Sequence, residues 1–254
     1  MEYLRRNTGK RFDPGALCEG ARSVIVCGVG YHRPPSAHEV ASRIASYAHS
    51  RDYHLTIRER LNELSAYLRE LVPGASGRVF TDTAPLAEKS WAVEAGLGWI
   101  GRNSLLANPR LGSFLLLGEV VTTAELEPDA PFVRDGCGTC RACVDACPVA
   151  AIRPDRTIDA GRCISRRTIE TGDGDEGDLH GWLFGCDVCQ RACPYNRKAP
   201  VSVHDSFAPL AELERLDVDD WLGLDEAGFR RIFGETPLAR CGLRRLQERI
   251  RRLK

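Results

Sequence analysis

The sequence predicts a fold of the α+β or α/β class in three parts. These are an α/β domain over residues 1–130, a cysteine-rich module over 131–200 and a short helical segment over 201–254. In the first part, short apolar and β-branched runs alternate with helical patterns, as in a sheet covered by helices. In the second part, eight of the eleven cysteines lie between Cys137 and Cys193. The patterns of the third part are helical.

The individual elements follow from the spacing of apolar residues. Continuous apolar runs predict buried strands at residues 23–31, 77–81 and 113–121. Apolar spacing of three and four predicts helices at residues 38–50, 56–71, 85–95, 210–216, 225–233 and 238–253. Asp82 or Thr83 is the expected N-cap of the helix that begins near Pro85.

The cysteines form two runs with the spacing of iron–sulfur cluster sites. The runs are Cys137-x2-Cys140-x2-Cys143-x3-Cys147-Pro148 and Cys163-x22-Cys186-x2-Cys189-x3-Cys193-Pro194. In the bacterial ferredoxin pattern, three thiolates bind one 4Fe-4S cluster and the fourth reaches the other cluster. Leu183 occupies the place of the second run's first cysteine, so Cys163 is the expected donor. One cluster is therefore predicted on Cys137, Cys140, Cys143 and Cys193, and the other on Cys147, Cys163, Cys186 and Cys189.

Zinc binding and disulfide formation are the two other uses of such cysteines. Zinc normally takes two C-x2-C pairs per tetrahedral site, which leaves the three-thiolate runs and the following prolines unexplained. Disulfides need an oxidising compartment, and the opening MEYLRRNTGK has no apolar stretch typical of a signal peptide. Cys18, Cys27 and Cys241 lie outside both runs and are expected to be free thiols.

The charges cancel overall but are unevenly distributed. Thirty-five Lys and Arg residues balance thirty-five Asp and Glu residues, so no whole-molecule attraction to a polyanion is predicted. Residues 240–253 nevertheless carry six arginines around an apolar stripe of Leu243, Leu246, Ile250 and Leu253. These arginines form either a solvated face or a contact to phosphates. No run approaches 18 apolar residues, which predicts a soluble protein.

A glycine motif at residues 96–101 is interpreted as structural. It satisfies G-x-G-x-x-G, but it follows a helix pattern, whereas the dinucleotide-binding motif follows a strand and opens a helix. A helix cap followed by a tight loop is therefore expected there.

Several motifs together resemble those of the epoxyqueuosine reductase family. They are Tyr53-His54, Thr81-Asp82-Thr83 with Pro85 and Glu88, the stretch from Ala95 to Asn103, Gly112-Ser113, Gly118-Glu119, Cys163-Ile164-Ser165, the stretch from Gly185 to Gln190, and Cys193-Pro194-Tyr195-Asn196. The resemblance covers nearly the whole chain. Compared with the family, the chain is expected to be a short form without the N-terminal segment and the C-terminal helical repeats. Departures from the usual family residues occur at Arg102, Arg166, Arg167 and Tyr195.

The resemblance implies a cytoplasmic, monomeric oxidoreductase with an α/β cobalamin-binding domain and a ferredoxin-like module. Such an enzyme reduces epoxyqueuosine at the tRNA wobble position to queuosine, the last step of queuosine biosynthesis. Electrons from an unidentified donor pass through two 4Fe-4S clusters to cobalamin, and the cluster of Cys137 is expected nearer the corrin. Asp82 matches the family's proton donor and is expected to be held protonated by burial.

The resemblance also implies a set of cobalamin contacts. These are Arg11, Asp82, Leu106, Leu117, Val121, Ser165 and Asp187. From the residues alone, Leu117 and Val121 fit ordinary strand core equally well. Residues 52–57 begin like the D-x-H-x-x-G motif that supplies a histidine to cobalt, but Ile57 replaces the glycine, so no protein ligand to cobalt is predicted.

Two other functions remain open from the sequence. One is a cobalamin-dependent reductase of another substrate, similar to the reductive dehalogenases, against which the lack of a twin-arginine export signal argues. The other is an electron-transfer subunit whose first domain serves only for docking. Retained corrinoid would distinguish an enzyme from such a subunit.

Overall fold

The computed structural model describes residues 7–170 and 177–253. The strands in chain order are β1 Ser23–Gly30, β2 Gly77–Phe80, β3 Trp99–Ile100, β4 Leu106–Ala107 and β5 Leu115–Thr122. The α-helices are α1 Thr8–Arg11, α2 Tyr53–Leu71, α3 Glu88–Glu94, α4 Ala142–Ala146, α5 Ile164–Glu170, α6 Val188–Arg191, α7 Val218–Gly223, α8 Glu226–Phe233 and α9 Leu243–Arg251. Within the described residues, no helix has the length and hydropathy needed to cross a membrane.

The main sheet has the order β1-β5-β2, and both of its pairings are antiparallel. Ser23 and Gly77 both lie opposite Thr122, on either side of the central strand. The fold is therefore α+β, and the expectation of an α/β arrangement in the first part is wrong. Apolar runs show which segments are strands, but they do not show that β5 lies between the two earlier strands.

The two faces of β5 contact different layers. Leu116, Gly118 and Val120 face α2, where Leu116 and Val120 pack against Ile57 and Leu61. A Cβ atom at Gly118 would lie 2.6 Å from the Ile57 side chain. With any other residue at position 118, α2 could not pack this closely against β5. Leu117, Glu119 and Val121 alternate with these residues and face the opposite layer.

Residues 38–50 do not form the predicted α-helix. They form two short 3₁₀ helices, Ala41–Arg43 and Ser46–Ala48, separated by Ile44, which makes an isolated parallel bridge to Phe184. The backbone N–H of Ala45 donates to the Phe184 carbonyl over 2.8 Å. The apolar spacing arose because this irregular segment is buried on the side that meets the cysteine-rich module.

The other predicted elements are largely present, with shifted ends. The predicted helix at 85–95 starts only at Glu88, with Ala87 at its N-cap, so neither Asp82 nor Thr83 has the expected capping role. The predicted helix at 210–216 is absent. The next helix is α7, whose N-terminus is capped by reciprocal hydrogen bonds between Asp217 and Asp220. The predicted helix at 238–253 is interrupted by Gly242, whose φ of 81° lies in the left-handed region.

One large apolar cluster joins all three parts of the chain. It combines Val40 and Ile44 with Phe184 and with Leu246 and Ile250 of α9. Arg249 points into this region, in contrast to the expectation that the arginines of the last helix face outward. It is 3% exposed and donates to the carbonyls of Thr168 and Leu183. The last helix is thereby fixed against the cysteine-rich module.

Candidate active site and cluster cavities

The eight cysteines of the two runs line two separate cavities. A cavity of about 520 Å³ is lined by Cys137, Cys140, Cys143 and Cys193. A second cavity, of about 370 Å³, is lined by Cys147, Cys163, Cys186 and Cys189. We call these the first and the second cysteine set. Each set has the composition expected from crossed wiring, with the last cysteine of each run placed among the thiols of the other run.

The local structure explains how the two sets come together. Cys143 lies on α4 and Cys189 on α6, and these two short helices pack against each other. The indole N–H of Trp99 donates to Cys137 Sγ over 3.4 Å, and the backbone N–H of Ala151 donates to Cys147 Sγ over 3.3 Å. Hydrogen bonds of this kind to cluster thiolates help to set the cluster potential.

The thiol groups surround cavities and do not converge on one point. In the described part of the chain, no group of three or more His, Cys, Asp or Glu side chains is arranged to hold a single metal ion. Burial raises the pKa of Cys186 to about 12 and raises that of Cys189 as well. Such thiols ionise readily only when a metal takes the place of the proton. The donor set therefore suits a polynuclear iron–sulfur cluster.

Asp82 lies on the loop after β2, in an unusual backbone conformation. Its φ of 52° is in the left-handed region, which few residues other than glycine adopt. Its Oδ2 accepts a hydrogen bond of 2.7 Å from the Tyr53 hydroxyl and lies 3.7 Å from His54 Nε2. Its backbone N–H donates to Glu88 Oε1. Three contacts therefore hold the loop at this residue.

The expectation that burial keeps Asp82 protonated is wrong in this structure. Burial opposes its ionisation, but the His54 imidazolium, 3.7 Å away, and the hydrogen bond from the Tyr53 hydroxyl outweigh burial, and the pKa of Asp82 is lowered. Its side chain is also 58% exposed. Asp82 is consequently a carboxylate at neutral pH.

His54 is a functional candidate that the sequence reasoning missed. Its Nδ1 lies 2.7 Å from Asp52 Oδ1, and its ring stacks on Tyr53 with 4.1 Å between centroids. The hydrogen bond to Asp52 and the Asp82 carboxylate, 3.7 Å from Nε2, raise the pKa of His54 to about 9, so the imidazole carries a proton at neutral pH. The signal was present in the Tyr53-His54 motif, but only the possible role of His54 as a cobalt ligand was considered.

The second cysteine set is linked to Asp82 through Tyr53. Tyr53 lines the cavity of that set, and its hydroxyl binds Asp82. Asp82 itself lines a neighbouring cavity of about 210 Å³. The residues lining the cavity of the first set make no hydrogen bond to Asp82 in the described part of the chain, and the expectation that the Cys137 cluster lies nearer the corrin stays a prediction.

The polar residues expected to contact cobalamin fall into two groups. Arg11 lines the small cavity with Asp82, and its buried Nε has no hydrogen-bond partner within residues 7–170 and 177–253. Ser165 and Asp187 line the cavity of the second cysteine set. Asp187 is already bonded through Oδ2 to the backbone N–H and the hydroxyl of Ser46. A large ligand that reached both cavities would meet the unpaired Arg11 donor, Asp82 and Ser165.

The three apolar candidates differ in how much surface they present. Leu117 is partly exposed, whereas Leu106 is 4% exposed. Val121 is fully buried in a cluster with Cys18, Phe80 and Leu86. Its side chain has no surface available to a corrin, so Val121 is a strand core residue here. The residues present therefore fit a corrin at Leu117 and at the polar positions.

Comparisons with known proteins agree with this site. Residues 11–83 match the family model described as epoxyqueuosine reductase QueG, DUF1730, and residues 136–196 match the 4Fe-4S double cluster binding domain. An epoxyqueuosine reductase from Cyclobacterium marinum is 41% identical over 256 residues, which cover 98% of this chain and 82% of that protein. This chain belongs to the epoxyqueuosine reductase family.

Solved structures of the family have the same fold. The epoxyqueuosine reductase from Bacillus subtilis, with its catalytic aspartate loop swung out of the active site, is 26% identical and has a TM-score of 0.85 over 96% of this chain and 67% of that one. An epoxyqueuosine reductase in complex with an epoxyqueuosine-modified tRNA-Tyr stem loop is 28% identical. Its TM-score is 0.83 over 95% of this chain and 66% of that one.

Replacing Cys163 tests the crossed assignment of the thiols. Because Cys163 belongs to the second set, we expect Cys163→Ala to retain only the cluster of the first set, or about four of eight irons. Iron quantitation after anaerobic reconstitution measures this loss. Cys18→Ala is the control, since Cys18 lies outside both sets, and it should keep the full iron content. Equal iron in both variants would contradict the assignment.

His54 should contribute to stability only while it is protonated. Its pKa is about 9 in the folded chain and 6.5 for the ordinary side chain, so its ion pairs stabilise the fold fully below about 6.5. This contribution is lost as the pH rises through about 9. We therefore expect the stability difference between the wild type and His54→Gln to shrink from pH 6 to pH 10, as measured by thermal unfolding. A difference that stays constant from pH 6 to pH 10 would contradict this.

Proposed function

We propose that this chain reduces epoxyqueuosine at the wobble position of tRNA to queuosine, with two 4Fe-4S clusters and cobalamin as cofactors. Membership of the epoxyqueuosine reductase family supports the substrate and the reaction. One observation carries the proposal for this chain: Tyr53 lines the cavity of the second cysteine set and also binds Asp82. A redox centre and a group that handles protons would therefore meet at a single side chain.

The reaction sets clear requirements for the site. Converting an epoxide to an alkene breaks two carbon–oxygen bonds, consumes two electrons and two protons, and releases water. When bound, the clusters supply electrons one at a time and cobalamin supplies a low-potential cobalt that acts on the epoxide. The chain itself must hold the substrate, exclude competing reactions and deliver protons to the leaving oxygen.

Asp82 and His54 together deliver the first of the two protons, and solvent supplies the second by reprotonating His54. In this proposal the imidazolium of His54 stores a proton, and the Asp82 carboxylate, 3.7 Å away, transfers it to the leaving oxygen. Tyr53 holds the carboxylate in place through its hydroxyl group. The catalytic aspartate loop of the Bacillus subtilis reductase supports a role for the Asp82 loop, which lies between β2 and α3 in this chain.

The tRNA would meet the protein on a basic surface near the second cysteine set. Arg251 and Arg252 are exposed at the end of α9, and the buried Arg249 fixes this helix against α5, which begins next to Cys163. A neighbouring reductase structure contains an epoxyqueuosine-modified tRNA stem loop. We infer that these arginines contact phosphates of the tRNA.

Cofactor content and turnover test the function together. After anaerobic reconstitution with iron, sulfide and cobalamin, we expect about eight irons and one corrinoid per chain, with conversion of epoxyqueuosine to queuosine in a tRNA stem loop. Asp82→Asn should retain both cofactors but lose turnover by a factor of about a hundred or more, as expected for a lost general acid.

The control variant for this experiment is Asp129→Asn, which alters an exposed carboxylate away from the site. It should match the wild type in cofactor content and in turnover. Full iron without corrinoid would favour an electron carrier. Full turnover of Asp82→Asn with normal cofactor content would contradict the proposed role of Asp82.

The arginines of α9 should affect tRNA affinity and its salt dependence. We expect Arg251→Gln with Arg252→Gln to weaken stem-loop binding and to lower the slope of log K against log salt by roughly 0.7 to 0.9 per lost phosphate contact. A filter-binding titration at several salt concentrations measures both. Arg58→Gln with Arg69→Gln removes two exposed arginines from α2 and should leave both quantities unchanged. Equal slopes for both double variants would rule out the contact.

A further inference from the structure

Glu119 is a fully buried carboxyl group in the middle of the central strand. Its exposure is 0%, and it lies opposite Val26 and Phe80 of the flanking strands. Neither of its oxygens receives a hydrogen bond from an N–H or O–H group in the part of the chain that the structure describes. An ionised carboxylate is strongly disfavoured in such a position.

The neighbour of Glu119 in hydrogen-bonding reach is another carboxyl group, that of Glu88 on α3. Two carboxylates can only accept hydrogen bonds, so a bond between them requires that one carries a proton. Burial, together with the charge of Glu88, raises the pKa of Glu119. Glu119 is therefore the member of the pair that keeps the proton at neutral pH.

Glu88 connects this pair to the catalytic loop. Its Oε1 accepts a hydrogen bond from the backbone N–H of Asp82. That residue has a φ of 52°, a conformation that persists only where surrounding contacts hold it. Tyr53 and His54 bind the Asp82 carboxylate, so Glu88 is the contact that holds the backbone.

We propose that Glu119 and Glu88 share one proton and that this carboxyl pair positions Asp82. The inference rests on the proposed function, because Asp82 is the group being positioned for the reduction. Neutral Glu119 donates its O–H to the Glu88 carboxylate, and Glu88 accepts the Asp82 N–H. If the shared proton is lost, two adjacent buried carboxylates repel each other, and the contact to Asp82 is weakened.

The charged surroundings of the pair come from three further elements. Asp82, on the loop after β2, raises the pKa of Glu119 through its charge. Glu119 in turn raises the pKa of Cys27 on β1. The charge of Asp82 raises the pKa of Glu88, and the charge of His54 on α2 lowers it. Asp82 favours retention of the shared proton, and the His54 imidazolium favours its release from Glu88. Together these influences leave one proton on the pair while His54 remains charged.

Infrared difference spectroscopy tests the shared proton directly. On the reconstituted holoprotein at pH 7, we expect the C=O stretching band of a protonated carboxylic acid, shifted in D₂O. Glu119→Gln should remove this band. Glu125→Gln changes an exposed glutamate on the segment after β5 and should keep it. Absence of the band in the wild type, or its persistence in Glu119→Gln, would overturn the proposal.

The pH profile of turnover separates positioning from a merely structural role. Wild-type kcat should fall at alkaline pH as the pair loses its proton, in addition to any loss from His54. Glu119→Gln, whose amide donates to Glu88 at every pH, should keep only the part of this fall that His54 causes, so that the fall is less steep. Glu119→Val, which has no donor, should lower kcat several-fold across the range with unchanged corrinoid content. An equally steep alkaline fall in Glu119→Gln and the wild type would refute the positioning role.

Thermal unfolding gives a readout that needs no turnover. In the unfolded chain Glu119 ionises above the ordinary carboxyl pKa of 4.5, whereas in the folded chain it keeps its proton to higher pH. Over that pH range, rising pH therefore favours the unfolded chain and destabilises the wild type. The advantage of Glu119→Gln in melting temperature should therefore grow from pH 5 to pH 8, and a constant difference would contradict the shared proton. If the wild type shows the infrared band and this trend but does not act on epoxyqueuosine, the proposed function fails and the carboxyl pair stands.

Discussion

The exchange of one thiol between the two cysteine runs is the constraint on which the rest of the structure depends. Cys147 leaves the first run to join the second cavity, and Cys193 leaves the second run to join the first. Neither cavity is complete until both runs lie side by side, which requires α4 and α6 to pack together. Cluster binding and folding of this module are therefore coupled, as is general for metal sites whose ligands come from separate segments.

The exchange also places the second cysteine set next to the first part of the chain. Phe184, two residues before Cys186, forms a bridge to Ile44 and is fully buried beside it. That contact orders the irregular segment before α2, and Asp52 then caps α2 by accepting the N–H of His54. Tyr53 and His54 follow directly in the first turn. The positions of Tyr53 and His54 are therefore set by the same packing that closes the cavity of the second cysteine set.

The ionisation of the carboxyl groups around this site depends on available donors more than on burial alone. Asp82 receives a hydrogen bond from Tyr53 and lies 3.7 Å from the His54 imidazole, and its pKa is lowered despite partial burial. Glu119 has no such donor in the described residues, and its pKa is raised. The single imidazolium of His54 can thus lie beside the carboxyl groups of Asp82, Glu88 and Glu119, because that of Glu119 is neutral. Reasoning from burial alone assigned the proton to Asp82, whereas the contacts around each group leave Asp82 ionised, His54 charged and Glu119 neutral.

The sequence predicted those features that depend on local spacing. The composition of both cysteine sets followed from intervals between cysteines, and the three main strands followed from apolar runs. The order of the sheet was not predictable, since it depends on which strand lies between the others. The 3₁₀ segments around Ile44 were missed because a buried irregular segment and a helix show the same apolar spacing. Glu119 had a visible signal, a lone charge within the apolar run at residues 113–121, but only its role in the family motif was noted.

The last helix shows how charge composition conceals structural roles. Its arginines look equivalent in the sequence, but Arg249 is buried and binds the carbonyls of Thr168 and Leu183. These carbonyls belong to the segments that carry Cys163 and Cys186. A buried guanidinium without its acceptors is costly, so this residue orients α9 relative to the second cysteine set. The exposed Arg251 and Arg252 are thereby held in a fixed relation to the cluster cavity, and a phosphate bound there would be positioned by the same residue that supports the cluster segments.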